Sequence, residues 1–313
     1  MADNGNWERD LLTKLATAAL KEQRRSRMWG IFFKLLFFAY LTILVLLTVD
    51  WKGAAEMAGK RHTAMVEING IIAPGADASA EKINASLQAA FEDKGTQGVI
   101  LRINSPGGSP VQAQTIYDEM HRLRKKYPEI PLYVVVEDIC ASGGYFIAAA
   151  ADRIYVGKAS LVGSIGVLMN GFGFTGLMDK LGIERRLITA GQHKGFLDPF
   201  SPEKPEETAF ARQLAEEIHQ QFIAAVREGR GKRLKETPDM FSGLIWTGQK
   251  SIELGLADGL GSLDSVARDV IKAEDIIDYT EKENIAEKFA KRFGAAAAAG
   301  FSETLLRFAP GLR

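Results

Sequence analysis

Residues 98–108 read GVILRINSPGG and residues 132–144 read LYVVVEDICASGG. Each is an apolar, β-branched run that breaks into a pair of glycines, and each is followed by a stretch with helical character. Continuous apolar runs of this length belong to strands buried on both faces, as in parallel sheets, whereas half-exposed strands alternate. Two strand-to-helix junctions in succession predict parallel strands joined by helices, so both glycine turns open at the same edge of one sheet.

Outward from these two runs the alternation continues. Ala64–Ile68, Gly98–Ile103, Leu132–Glu137 and Arg153–Val156 are expected strands, and Gly166–Met169 and Arg185–Thr189 continue the pattern. Ile83, Leu87 and Phe91 stand at helical spacing, as do Ala113, Ile116, Met120 and Leu123, the second helix closing near Pro128. Gly143–Ala151 is a helix of small residues, and Pro205–Arg230 is a long helix whose opening Pro-Glu-Glu suits the first turn. The fold class is α/β over residues 63–280.

Upstream, Met28–Val49 reads MWGIFFKLLFFAYLTILVLLTV, with Lys34 as its only charge. At about 1.5 Å per residue this run spans a hydrocarbon core of about 30 Å. Lys21, Arg24, Arg25 and Arg27 precede it, a bias that places residues 1–27 in the cytoplasm and the rest of the chain across the membrane, periplasmic in a Gram-negative cell. A cleaved signal peptide, with Ala54 and Ala55 near the cut, is the competing reading, but the run exceeds the roughly 7–15 apolar residues of such a segment. A buried core helix fits poorly because the run is apolar on every face. Residues 50–62 form a stalk. Residues 281–313 form a tail in which Ile285, Phe289 and Phe293 suggest an amphipathic helix.

Composition excludes several functions. The 39 basic and 39 acidic residues cancel, so no global field favours nucleic acid. The single cysteine, Cys140, excludes an intrachain disulfide and a multi-cysteine zinc site, and the four histidines lack metal-ligand spacing, so no metal or cofactor is expected. Gly171, Gly173 and Gly176 spell GxGxxG, but no acid follows the next expected strand to bind a ribose. GLIWTGQKS from Gly243 misses a phosphate-binding loop by Gln249 and instead turns into a helix.

The two glycine junctions carry the chemistry. After VILRI, Asn104-Ser105-Pro106-Gly107-Gly108 lets the backbone approach a ligand and aim N–H groups into a cleft. Ser142, between Ala141 and Gly143, has small neighbours that expose its hydroxyl at a helix mouth, although a serine there is usually a helix cap. Together they read as a nucleophile beside an oxyanion site. The serine needs a base, and downstream stand His193 and Lys194. A lysine base requires its ordinary pKa of about 10.4 to be brought toward 7, which burial can do; a solvated loop lysine is the plainer reading of Lys194.

NSPGG at 104–108, ASGGYF at 141–146, VGSIGV at 162–167, HKGFLDPFSPEKPEE from His193 and FSGLIWTG from Phe241 occur in one collinear order that resembles the SppA-type signal peptide peptidases, in their short single-repeat form. The likeness runs from about Thr63 to Val270. It implies a ClpP/crotonase-like fold and a serine protease with a Ser/Lys dyad. Ser142 would be the nucleophile, Lys194 the general base, Ser164 the residue that orients the lysine, and Gly108 and Gly143 the oxyanion donors. It further implies hydrophobic peptides, including cleaved signal peptides, as substrates, a small apolar side chain at the cleaved position, and a ring-like homo-oligomer, with the dyad completed within or between subunits. A Ser/His/Asp peptidase lacks its histidine between Gly143 and Ser164. A crotonase-type acyl-CoA enzyme and a non-enzymatic membrane scaffold are the remaining alternatives.

Overall fold

The computed structural model describes residues 5–48 and 60–281, and the chain divides after Lys60 into two units. In the first, Gly5–Thr48 is a single α-helix, α1. Over Leu11–Ile43 it is long and apolar enough to cross a membrane. The helix begins well before the apolar run at Met28, because the intervening Lys, Glu, Gln and Arg residues are all good helix formers and no proline interrupts them. Most of the expected stalk, and the expected helix around Ile285, Phe289 and Phe293, lie outside the described residues.

The second unit alternates strand and helix. Its chain order is β1 (His62–Asn69), α2 (Ala80–Glu92), β2 (Thr96–Ser105), α3 (Pro110–Lys126), β3 (Leu132–Ala141), α4 (Gly143–Ala148), β4 (Arg153–Val156) and β5 (Leu161–Gly163). There follow α5 (Thr175–Leu181), α6 (Pro205–Arg230), β6 (Ile245–Thr247), α7 (Gly248–Glu253), β7 (Gly259–Leu260) and β8 (Ile276–Asp278). The strands form one sheet of order β6-β5-β3-β2-β1-β8, with β4 also on β3 and β7 on β4. Every pairing is parallel except β5 with β6.

Both faces of the sheet are covered, as the unbroken apolar runs require. On one face Val66, Ile68, Leu101, Ile103, Val134 and Val136 are buried against Ile83 and Leu87 of α2, Ile116 and Met120 of α3, and Phe222 and Val226 of α6. On the other, Ile100, Val135 and Tyr155 meet Val266 and Ala267 of the helical turns before β8. Fully burying one such aliphatic side chain contributes about 1.5–3 kcal/mol.

Two expected strands do not form. Gly166–Met169 and Arg185–Thr189 are irregular. A strand is stabilised only by a ladder partner. β5 stops at Gly163, where the Ser164 backbone turns to φ 50°, and residues 185–189 are exposed along their whole length. The small-residue helix ends at Ala148 and continues only as turns to Ala151.

Candidate active site

β3 and β2 end side by side, Ser105 pairing with Cys140 across a shift in register. The two glycine turns therefore meet. Within the 104–108 turn the Gly107 N–H donates to Ser105 Oγ at 3.1 Å, and Ser105 Oγ donates to the Gly70 carbonyl at 2.6 Å. The Ile72 N–H donates to the Gly107 carbonyl at 2.9 Å and the Ser109 N–H to the Ile72 carbonyl at 2.8 Å. These two bonds flank Gly108 and leave its own N–H free to face the other way, toward Gly143.

The glycines here are required by space. A side chain on Gly107 (φ 101°) would put Cβ 2.7 Å from both Ser142 Cβ and the Gly143 nitrogen. On Gly108 it would lie 2.1 Å from the Ile72 carbonyl oxygen. Real contacts are never this short, so only glycine lets the turn lie flat against the serine.

Ser142 follows β3 with φ 52° and ψ −124°, a left-handed conformation that costs a non-glycine residue about 1–3 kcal/mol. It occupies the cap position of α4, yet its side chain accepts no capping hydrogen bond. Ser109, by contrast, caps α3 by accepting from the Gln112 N–H. The usual structural role of a serine at a helix start is thus unfilled, and Ser142 lines a cleft. Its strained backbone is held by Ser142 N–H to the Gly163 carbonyl at 2.8 Å and Phe146 N–H to the Ser142 carbonyl at 2.9 Å. The Gly143 N–H, first in its helix, has no acceptor of its own. Among the described residues neither the Gly108 nor the Gly143 amide donates a hydrogen bond, and both residues line one cleft with Ser142.

The cleft is lined by Gly108, Ala113, Ser142, Gly143, Phe146, Gly166, Val167, Ile218 and Phe222, with Gln114 and Gln221 also in its wall. It encloses a cavity of about 40 Å³ with mostly apolar walls. Next to Ser142 the neighbouring Cys140 is fully buried, and burial pushes its thiol far up, which excludes it as a thiolate nucleophile.

Of the residues expected from sequence, Ser142, Gly108 and Gly143 come together in the cleft, and Ser164 leaves β5 beside them. Lys194 does not line the cleft; it lies on an exposed, turn-rich loop, its N–H donating to the Gly191 carbonyl at 3.1 Å. That loop is fastened to α6 by Glu207, which accepts from the Leu197 N–H at 3.1 Å and from Lys204 Nζ at 2.9 Å. The Lys204 bond, with the Leu197 amide, holds the Glu207 carboxyl below its ordinary value. His193 is exposed on the same loop. Gly171, Gly173 and Gly176 follow no strand, which removes the dinucleotide fingerprint, and Thr247 caps α7 where the near-match to a phosphate loop stood.

Residues 124–276 match the family profile described as Peptidase family S49, and residues 63–161 match Clp protease. The chain is 32% identical over 203 residues to "Putative protease slr0021" of Synechocystis, covering 65% of this chain and 71% of that protein. It is 29% identical over 233 residues to "Putative signal peptide peptidase SppA" of Enterococcus faecium, covering 72% and 67%. It is 48% identical over 182 residues to a Brucella abortus protein named "Na(+)/H(+) antiporter NhaA", where the match covers 58% of this chain but a quarter, 25%, of that one. The parallel sheet covered on both faces, with the glycine turns at one edge, is a ClpP-like fold.

Proposed function

The chain belongs to peptidase family S49, and on that premise we propose that it is a membrane-anchored serine endopeptidase that hydrolyses remnant signal peptides and other extended hydrophobic peptides. The observation that carries the proposal is the strained Ser142, its hydroxyl unused as a cap and set against two free amides. Ser142 Oγ attacks the scissile carbonyl carbon, forming the C–O bond while Lys194 Nζ takes the hydroxyl proton. The Gly108 and Gly143 amides stabilise the tetrahedral oxyanion. The C–N bond then breaks as the lysine returns the proton to the leaving amine, and water cleaves the acyl-enzyme by the same path. Ser164 orients the lysine.

Lys194 does not line the cleft and lies on an exposed loop, which supports a base supplied by a neighbouring copy in a ring-like homo-oligomer. The small apolar cavity favours small apolar side chains at the cleaved position. The Enterococcus relative's name supports the substrate class. The apolar stretch of α1 would hold the enzyme at the bilayer, raising its local concentration near such peptides. Cation transport, which the Brucella relative's name describes, is no part of this reading, since the match covers a quarter of that protein.

The test is hydrolysis of a fluorogenic hydrophobic peptide by the detergent-solubilised chain, with Ser142→Ala and Lys194→Ala alongside. Loss of activity in both folded variants is expected. Equal cleavage by parent and variants removes the dyad, and a silent parent returns the fold to the scaffold or acyl-CoA readings.

A further inference from the structure

We infer that His219 of α6 is a positioning residue that fixes one wall of the cleft and thereby its preference for small side chains. The inference rests on the peptidase reading above for its enzymatic consequence, but on the structure alone for the clamp.

The wall in question is residues 164–167. It has no ladder, since β5 ends at Gly163 and the chain beyond is irregular. On one side, the Ser164 N–H donates to the Leu244 carbonyl at 2.8 Å, and the Gly166 backbone lies so near Gly243 that an added Cβ would come 3.1 Å from its Cα. On the other side stands α6, where His219 Nε2 is 3.1 Å from the Ile165 carbonyl oxygen. A carbonyl only accepts, so Nε2 is the donor nitrogen of this ring. The bond falls between the side chains that matter: Gly166 and Val167 line the cleft from the clamped segment, and Ile218 and Phe222 line it from the same helix as His219.

The bond sets the distance between the two elements that form that side of the cavity. Ile165 itself is fully buried, so its carbonyl is held at the edge of the core, where an unpaired acceptor is costly. Without the clamp, the segment keeps its attachment to Leu244 but swings free of α6. The cavity widens, and side chains larger than a methyl group gain entry. The same peptide unit follows Ser164, whose φ of 50° needs restraint from its neighbours.

Three variants separate this role from simple stabilisation. His219→Leu removes the donor at similar size, His219→Gln returns an N–H at about the position of Nε2, and His219→Asn keeps polarity but falls short. Each is assayed as the full chain in detergent on peptides that differ only in Ala, Val or Leu at the cleaved position. His219→Leu and His219→Asn are expected to lower the Ala-over-Leu ratio of kcat/KM about tenfold, mainly through improved KM for the Leu peptide, with His219→Gln near the parent. Hydrogen exchange at residues 165–168 is expected to quicken in the Leu and Asn variants alone. An unchanged ratio with a uniform fall in kcat overturns the specificity role. Unchanged exchange in all three variants overturns the clamp itself. If the parent cleaves none of the peptides, the peptidase reading fails, while the exchange experiment still decides the clamp.

Discussion

Ser142 and Ser164 leave neighbouring parallel strands at the same level, each one residue beyond the paired Ala141 and Gly163, and both do so in left-handed backbone, with φ of 52° and 50°. The Ser142 N–H donates to the carbonyl between them, on Gly163, at 2.8 Å. Two serines in a conformation that serine avoids, at adjacent strand ends, are stabilised only because the surrounding sheet fixes both.

The strain at Ser142 makes stability and activity oppose each other. Ser142→Gly should abolish peptide hydrolysis and at the same time stabilise the fold by about 1 kcal/mol, because glycine adopts this backbone without penalty. Thermal unfolding of the full chain in detergent checks it: a Tm above the parent's is expected, and a lower one removes the strain argument.

Gly108→Ala brings a methyl group to 2.1 Å from the Ile72 carbonyl oxygen, so the turn must move away from Ser142. Displacing one oxyanion donor costs about 10²–10³ in kcat. A loss of this size, with KM little changed, is expected from steady-state kinetics on the folded variant.

Chains carrying Ser142→Ala and chains carrying Lys194→Ala should each be inactive and should regain activity when co-assembled. In a ring with random composition, about a quarter of the sites would combine an intact serine with a neighbour's intact lysine. Mixing after dissociation and reassembly measures this directly, and no recovery at any ratio places the base within one chain.

Arg230, at the end of α6, is buried and grips Asp258 through two bonds, Nη1–Oδ2 at 2.8 Å and Nη2–Oδ1 at 2.9 Å, while its Nε donates to the Gly255 carbonyl at 2.9 Å. Asp258 also accepts from the Ile154 N–H at 2.7 Å, so the pair ties the cleft-lining helix to β4. Burial pushes the Asp258 carboxyl up, but the Arg230 bonds outweigh it and hold the group below its ordinary value. A depressed carboxylate contributes stability that is complete above its unfolded pKa of about 3.9 and is lost as pH falls through the folded value. Arg230→Met keeps the burial and removes both of its bonds to Asp258, which then keeps only the longer contact to Arg233 Nη1, at 3.3 Å, as a cationic partner. Circular dichroism against pH should show acid unfolding moved to higher pH, with about 3–5 kcal/mol lost near neutrality.

Much of this was readable from local pattern. The apolar runs at Leu101, Val134 and Ile154 had one stable use, a doubly covered strand, and Pro205–Arg230 carries its own start and stop. The glycine turns at Gly107 and Gly143 were legible because two parallel strands in succession must end at one edge. Arg185–Thr189 misled because β-like composition says nothing of a partner strand, and among the described residues that segment has none. Nothing in the sequence marks His219, because its acceptor is 54 residues away, at Ile165, which helix periodicity does not reveal. The place of Lys194 on an exposed loop was illegible for a similar reason: motif order names residues without saying where the loop that carries them lies.

β1 begins two residues after Lys60 and is bonded on both sides, to β2 and to β8, with its partners running parallel. β1 therefore stands in the interior of the sheet, held by ladder bonds on both flanks from its first residues onward. A pull on its first residue along the strand axis would load both ladders together in shear instead of peeling them in turn from an edge. Ser142 follows the C-terminal end of β3, which runs parallel to β1 through β2, so such a load would enter the sheet at the end away from the glycine turns.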